Sequence, residues 1–148
     1  MTETVVHRGR AAAAPAEVWR VLGDYFALAT WAGAIDHSSA MTATPAGLDA
    51  SRRVALGSTV LIENVVAWEP GQEMAYEIVG LPPLIRRAEN RWRLAADGDG
   101  TSVELTATIE PGPRPPMKIA AKAVARRVGA TNRSLVDDLV NAAERQSA

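Results

Sequence analysis

The chain has 148 residues, of which 47% are hydrophobic and 22% charged, and its formal net charge is −1. This length suits one domain around a single core, and the ordinary composition argues against a disordered chain. The absence of cysteine excludes a disulfide framework, a thiolate metal site and a cysteine nucleophile.

The start of the chain and its charge pattern predict a cytoplasmic location, with neither membrane insertion nor a nucleic-acid partner. The alanine run 11–14 is too short for the apolar part of a signal peptide, and Pro15 and Glu17 follow it. No stretch is long enough to span a bilayer. The arginines at 86–93 and 126–133 have acidic residues interspersed, which favours a mixed solvated surface over a phosphate-binding groove.

The first elements are predicted to be a strand and two short helices. A strand over Val5–Ala14 is stopped by Pro15. A helix over Pro15–Leu22 follows, because proline is favoured in a first helical turn and apolar residues recur at helical spacing. A second short helix covers Tyr25–Trp31.

From residue 35 to residue 110 the signals are those of strands and turns. The last strand is the clearest, because Val103, Leu105, Ala107 and Ile109 alternate with polar residues. The Asp97–Gly100 segment before it is typical of a hairpin turn. The earlier strands are predicted over Ile35–Thr44, Arg52–Leu56, Thr59–Trp68, Met74–Val79 and Ile85–Leu94.

A long final helix is predicted over Met117–Glu144, after the stiff proline-rich connection 111–116. Its apolar stripe has small side chains over Ala120–Val128 and bulky ones over Leu135–Val140. A thin stripe indicates either a closely packed sheet or a cavity beneath it. We expect the cavity, with the thin segment as its wall and the bulky segment as the plug that closes the core.

The order of these elements predicts an α+β domain over residues 1–148. Hairpin connections imply an antiparallel sheet, and the final helix alone is long enough to cover its concave face. One helix cannot fill a strongly curved sheet completely. The remaining space is the natural place for a ligand.

The chain contains several distinctive short motifs: Ala14–Trp19, Trp31, Glu63, Trp68–Gly71, Tyr76–Ile78, Asn90–Leu94 and the proline-linked final helix. Together they resemble the START/Bet v 1-like (SRPBCC) superfamily, and the polyketide cyclase/dehydrase-like group within it most. The resemblance extends over nearly the whole chain. It implies a helix-grip fold, a seven-stranded antiparallel sheet around the C-terminal helix, with a cavity for lipids, polyketides or other hydrophobic molecules.

Glu63 is the candidate catalytic residue, because a carboxylate is unusual in the apolar strand Thr59–Trp68. If its face points inward, as the resemblance implies, it lies in an apolar cavity. There it would suit a general acid or base, or an anchor for a ligand hydroxyl. The alternative is an outward glutamate paired across the sheet with an arginine.

The ligand-binding candidates follow from the same strand faces. Tyr76 is expected to face the cavity with a free hydroxyl, or else to be satisfied by backbone. If Trp92 is core, Asn90 and Arg86 point inward to bind a carbonyl or carboxylate, unless strand twist places Arg86 at the rim. The predicted set is Val54, Leu61, Tyr76, Ile78, Arg86, Asn90, Trp92, Met117, Ala121, Val124 and Val128.

Three functions compete at this point. The first is binding of a small hydrophobic ligand, and the second is a cofactor-independent cyclase or dehydratase that uses Glu63 as acid/base. The third is a regulatory module in which the loop 80–83 acts as a gate. No cofactor or metal is predicted, because His7 and His37 lie on separate elements without supporting carboxylates. Both histidines are expected at the surface. The oligomeric state stays open.

Overall fold

The computed structural model describes residues 2–148, which form seven β-strands, two α-helices and one 3₁₀ helix. The helices are α1 (Pro15–Leu22), the 3₁₀ helix (Tyr25–Thr30) and α2 (Pro115–Ser147). The strands are β1 (Glu3–Ala11), β2 (His37–Ala40), β3 (Ser51–Leu56), β4 (Thr59–Glu69), β5 (Glu73–Val79), β6 (Ile85–Asp97) and β7 (Gly100–Pro111).

The seven strands make one antiparallel sheet in the order β1-β7-β6-β5-β4-β3-β2. Consecutive strands from β2 to β7 are neighbours, while β1 pairs with the last strand. The long helix α2 lies against the sheet, and the two short helices follow β1. The predicted α+β, helix-grip arrangement is therefore confirmed.

Strand β7 shows why these residues form a sheet with one buried face. Val103, Leu105, Ala107 and Ile109 are all completely buried, and the residues between them are partly exposed. The β6–β7 turn contains Gly98, whose φ of 62° lies in the left-handed region that glycine adopts without strain. This alternation fixes the register, because a shift by one residue would turn the apolar side chains to solvent.

The first strand begins two residues earlier and ends three residues earlier than the sequence predicts. It ends at Ala11, and residues 12–14 connect it to α1. The carbonyl of Ala14 accepts hydrogen bonds from the backbone N–H groups of Glu17 and Val18, and the carbonyl of Ala13 accepts one from the Thr101 hydroxyl.

Two adjacent faces of α2 meet different surroundings. Ala121, Ala125 and Gly129 are buried on the face that packs on β1 and β7. A Cβ at Gly129 would lie only 3.1 Å from Cγ1 of Val5, so helix and sheet approach closely there. Val124 and Val128, on the neighbouring face, are half-buried and line a cavity. Both explanations of the thin stripe hold, each for a different face of the helix.

The second half of α2 closes the core. Val136 and Leu139 are buried, whereas Leu135 also reaches the cavity. Two acidic side chains on this half accept hydrogen bonds from loop N–H groups: Asp138 from Gly33 and Glu144 from Ala12, each at 2.8 Å. Among residues 2–148, no helix has both the length and the apolar character needed to cross a bilayer.

Candidate functional site

A cavity of about 660 Å³ lies between α2 and the part of the sheet formed by β3, β4 and β5. The packing contacts of α2 are mainly with β1 and β7, and they become few at β6. The sheet therefore continues past the helix, and the space between them is the cavity. A volume of this size falls in the range of small-molecule binding sites.

The cavity wall is mostly apolar. Aliphatic side chains come from β3, β4 and β5, and the short helical region adds Leu28 and Ile35. On α2 the wall extends from Val124 to Leu135, so it begins and ends later than the predicted segment 120–128. The aliphatic residues contributed by the sheet are Val54, Leu56, Leu61 and Ile78.

The loop between β5 and β6 forms one edge of the cavity, through Gly80, Leu81, Pro82 and Pro83. Gly80 has φ 107°, and a Cβ there would lie 2.9 Å from the carbonyl oxygen of Val60. Only glycine fits this turn without strain. The loop predicted as a gate thus borders the cavity.

Glu63 is buried and lines the cavity, but it has an arginine partner. Its Oε1 accepts a hydrogen bond of 2.8 Å from Nε of Arg52, its cross-strand neighbour on β3. The exposed fractions are only 2% for Arg52 and 6% for Glu63. Each of the two alternatives is therefore correct in part. The carboxylate points inward, as the first expects, and it is paired with an arginine across the sheet, as the second expects.

The Arg52 guanidinium is held by more than this carboxylate. Its Nη1 donates a 2.7 Å hydrogen bond to the carbonyl of Tyr25, and its Cζ lies 3.9 Å from the Tyr25 ring centroid and 4.8 Å from that of Tyr76. Burial alone would lower the pKa of Arg52, but the adjacent Glu63 carboxylate and the two tyrosines together outweigh it and the pKa is raised. The guanidinium therefore stays charged, in contact with two aromatic rings.

Tyr76 lines the cavity, and its hydroxyl is hydrogen-bonded to two buried side chains. It accepts hydrogen bonds from Nε1 of Trp92 at 3.3 Å and from Nδ2 of Asn90 at 3.4 Å. Burial raises the pKa of Tyr76, and the Glu63 charge adds to the rise. The phenol thus keeps its proton, and no acceptor for that proton is found among residues 2–148.

Asn90 connects this hydroxyl to α2. Its Oδ1 accepts a 2.9 Å hydrogen bond from Nδ2 of Asn132, and its Nδ2 lies 3.3 Å from Oδ1 of Asn132. Both amides are buried and both line the cavity. The reciprocal pair satisfies two polar side chains that would otherwise be costly to bury, and it fixes the orientation of Asn90.

The structure brings most of the candidate residues to one cavity. Eight line it and four do not. Those outside it are Arg86, Trp92, Met117 and Ala121, and those lining it are Val54, Leu61, Glu63, Tyr76, Ile78, Asn90, Val124 and Val128.

The position of each of these four residues outside the cavity has a physical reason. Arg86 is largely exposed and lies 3.6 Å from Glu110. Trp92 is buried on the strand beside Tyr76 and reaches the cavity only through its hydrogen bond to that hydroxyl. Met117 lies beside Gly112, in the first turn of α2. Ala121 is buried on the helix face that packs on the sheet.

Four further residues are important to the site and were missing from the sequence prediction. Arg52 shares a strand face with Val54, so alternation was a usable signal for it. Asn132 falls at helical spacing between Val128 and Leu135, which also placed it on the cavity side. Arg127 comes three residues after Val124, so the same spacing was a usable signal for it, whereas Tyr25 gave none.

Residues 2–148 contain no group of three or more histidine, aspartate or glutamate side chains arranged to hold a metal ion. His37 is exposed, as expected. His7 is half-buried under α2, and its Nε2 has no hydrogen-bond partner among the described residues. The expected surface position is therefore wrong for His7, because the close approach of Gly129 covers it.

The sequence model of a family described as "Polyketide cyclase / dehydrase and lipid transport" matches residues 2–144. The chain belongs to this family, as its motifs predict. A comparison with curated proteins gives no match.

Solved structures share the fold at low sequence identity. An aromatase/cyclase, ZhuI from Streptomyces sp. R1128, is 16% identical with a TM-score of 0.83, over 100% of this chain and 97% of that one. The di-domain ARO/CYC StfQ of the steffimycin biosynthetic pathway is 13% identical with a TM-score of 0.81, over 99% of this chain and 52% of its own. Ara h 8.0201 is 14% identical with a TM-score of 0.69, over 95% and 99%. These likenesses establish the fold alone.

Proposed function

We propose that the protein binds a small hydrophobic molecule, such as a lipid or polyketide, that carries a neutral oxygen. One observation supports this most: Tyr76 lines a cavity of about 660 Å³ with apolar walls, and its hydroxyl proton has no acceptor among residues 2–148. An apolar pocket with a few fixed polar groups is the usual form of a small-molecule site. The family and fold agree with this role.

The geometry specifies how the neutral oxygen would be recognised. Tyr76 already accepts two hydrogen bonds, from Trp92 and Asn90, so its hydroxyl is free to donate. A ligand carbonyl or hydroxyl oxygen would accept that hydrogen bond. The amide pair of Asn90 and Asn132 holds the donor in place and limits the entropy lost on binding.

Glu63 and Arg52 have a supporting role in this proposal. Their charges offset each other, and the Arg52 guanidinium lies over the rings of both Tyr25 and Tyr76, which meet edge-on. The pair therefore positions Tyr76 while adding no net charge to the cavity floor.

A second candidate function is a cofactor-independent cyclase or dehydratase. It is favoured by one observation: Glu63 lines the cavity, and only its Oε1 is engaged by Arg52. Oε2 would then take a proton from an activated carbon, while Tyr76 stabilises the negative charge that develops on the carbonyl oxygen. A linear poly-β-ketone thioester is the appropriate test substrate. If Glu63→Gln turns it over at the wild-type rate, Glu63 is not the base.

Binding is tested with N-phenylnaphthylamine, a neutral apolar fluorophore whose emission rises in an apolar site. Val128→Trp places an indole in the cavity and is expected to lower the affinity at least tenfold, because the ring occupies the ligand volume. Ala123→Trp is the matched control, since Ala123 is exposed on the same helix and does not line the cavity.

Two results would contradict the proposal. One is the absence of fluorophore binding to the wild-type protein. The other is an equal loss of affinity in Val128→Trp and Ala123→Trp. Circular dichroism checks that both variants are folded, and Ile78→Trp provides a second cavity-filling variant from the sheet side.

A further inference from the structure

We propose that the ligand is an amphipathic carboxylate whose charged group binds Arg127 at the cavity mouth while its neutral oxygen lies at Tyr76. This inference rests on the proposed function, and it adds the chemical class and the orientation of the ligand.

The charges that line the cavity are the first observation. Only two lining residues are charged, Glu63 and Arg127. Glu63 is paired with buried Arg52, whereas Arg127 makes no ion pair with any acidic side chain among residues 2–148. The cavity therefore has a single charge that the protein does not offset, and that charge is positive.

The position of Arg127 is the second observation. It is exposed, yet it borders the cavity beside Val124, Val128 and Thr131 on the same side of α2. A side chain that meets both solvent and cavity lies at the opening. Its guanidinium presents several N–H donors in a planar fork that matches a carboxylate.

The third observation is the charge of the surrounding helix. Between residues 112 and 136 there is no acidic residue, and none of the basic side chains in this segment forms an ion pair within the described part of the chain. Such a field raises the local concentration of anions at the opening. The basic residues are Arg114, Lys118, Lys122, Arg126, Arg127 and Arg133.

These charges also fix the orientation of the ligand. A carboxylate placed deep in the cavity would lose its hydration in apolar surroundings and find no free cation among the residues described there, because Arg52 is already paired with Glu63. At Arg127 the same group is paired and remains partly hydrated. The deep end of the ligand must therefore be neutral, which agrees with a Tyr76 hydroxyl that donates a hydrogen bond.

The test compares dodecanoate with dodecanol, each displacing N-phenylnaphthylamine at neutral pH and about 0.15 M salt, where distant charges are screened. Dodecanoate is kept below its micelle concentration and dodecanol below its solubility limit. Arg127→Gln is expected to lower the affinity for dodecanoate about tenfold, which corresponds to the loss of one charge-assisted hydrogen bond. The affinity for dodecanol should be unchanged. Arg126→Gln is the matched control, because Arg126 is exposed on the same helix without lining the cavity. It is expected to change neither ligand more than twofold.

The outcomes separate this inference from the proposed function. If the fluorophore binds but Arg127→Gln weakens both ligands equally or neither of them, the carboxylate assignment is wrong and the binding function stands. If Arg126→Gln weakens dodecanoate binding as much as Arg127→Gln does, the general positive field of the helix accounts for the affinity. That result also overturns the contact at Arg127. If neither the fluorophore nor the two ligands bind, the proposed function itself fails.

Discussion

Nε of Arg52 lies 2.8 Å from Oε1 of Glu63, and these two residues face each other on neighbouring strands with almost no solvent exposure. The pair lies directly beside an apolar cavity that Glu63 lines. A buried ion pair stabilises a protein little in comparison with apolar residues, but the loss of one partner is costly. The cavity floor therefore depends on both residues together.

Removal of one partner is expected to destabilise the fold strongly. Arg52→Met and Glu63→Gln should each lower the free energy of unfolding by about 3 to 5 kcal/mol, because each leaves a buried charge without its partner. The double variant Arg52→Met/Glu63→Leu should be more stable than either single variant. Urea denaturation measures all three.

The exposed pair of Arg8 and Glu104 is the control for this prediction. Their side chains are 71% and 27% exposed, so Arg8→Met should change stability little. For additivity, Glu63→Leu is also measured alone. If the losses from Arg52→Met and Glu63→Leu add fully in the double variant, the two residues do not act as a pair.

The two tyrosines of the site should separate binding from stability. Tyr76→Phe removes the free donor, so Prodan, a naphthalene fluorophore with a ketone, should bind roughly fivefold to tenfold more weakly, as for one lost hydrogen bond. N-phenylnaphthylamine, which lacks a carbonyl, should be unaffected. Tyr25→Phe loses a hydrogen bond to the Glu63 carbonyl but does not line the cavity, so it should reduce stability and leave Prodan affinity unchanged.

The fold follows from the sequence because its signals are local and periodic. In β7, alternation alone identifies the buried face, and at Pro15 the proline fixes the start of α1. Helix α2 shows the limit of this reasoning. Its small residues predicted either close packing or a cavity, and the structure has both because Val124 and Ala125 point in different directions.

The site could be predicted only in part, because it depends on contacts between distant residues. Strand alternation placed Tyr76 and Asn90 correctly on one face. It could not show that Glu63 meets Arg52, since register between strands is set by the whole sheet. Strand alternation also could not place Arg86. This residue lies at the start of β6, beside a register shift, and its side chain turns outward to Glu110.

The pH dependence of the tyrosines gives another test. The chain contains two tyrosines, and burial raises the pKa of Tyr25 and Tyr76 above the ordinary value of 10.0, although Arg52 partly offsets this. Because the folded pKa lies above the unfolded one, the protonated phenols contribute stability that is fully present below pH 10 and is lost as pH rises above it. The native protein should therefore show no tyrosinate absorbance near pH 10, whereas protein unfolded in guanidinium should titrate there. Half-ionisation near pH 10 in the native state would contradict the buried site.

Gly129 is expected to limit how α2 packs on β1. A Cβ there would lie 3.1 Å from Cγ1 of Val5 and 3.7 Å from Nε2 of His7. In Gly129→Ala, the higher helix propensity of alanine stabilises the fold by about 1 kcal/mol. The small displacement of Val5 that the new methyl group requires destabilises it. We expect the two effects nearly to cancel.

The larger side chain of Gly129→Leu does not fit between helix and sheet. This variant should lower the free energy of unfolding by about 1 to 3 kcal/mol, measured by urea denaturation. Ala123→Leu, at an exposed position of the same helix, should stay within about 0.5 kcal/mol of the wild type. Equal stability of Gly129→Leu and Ala123→Leu would show that helix and sheet do not meet closely at this point.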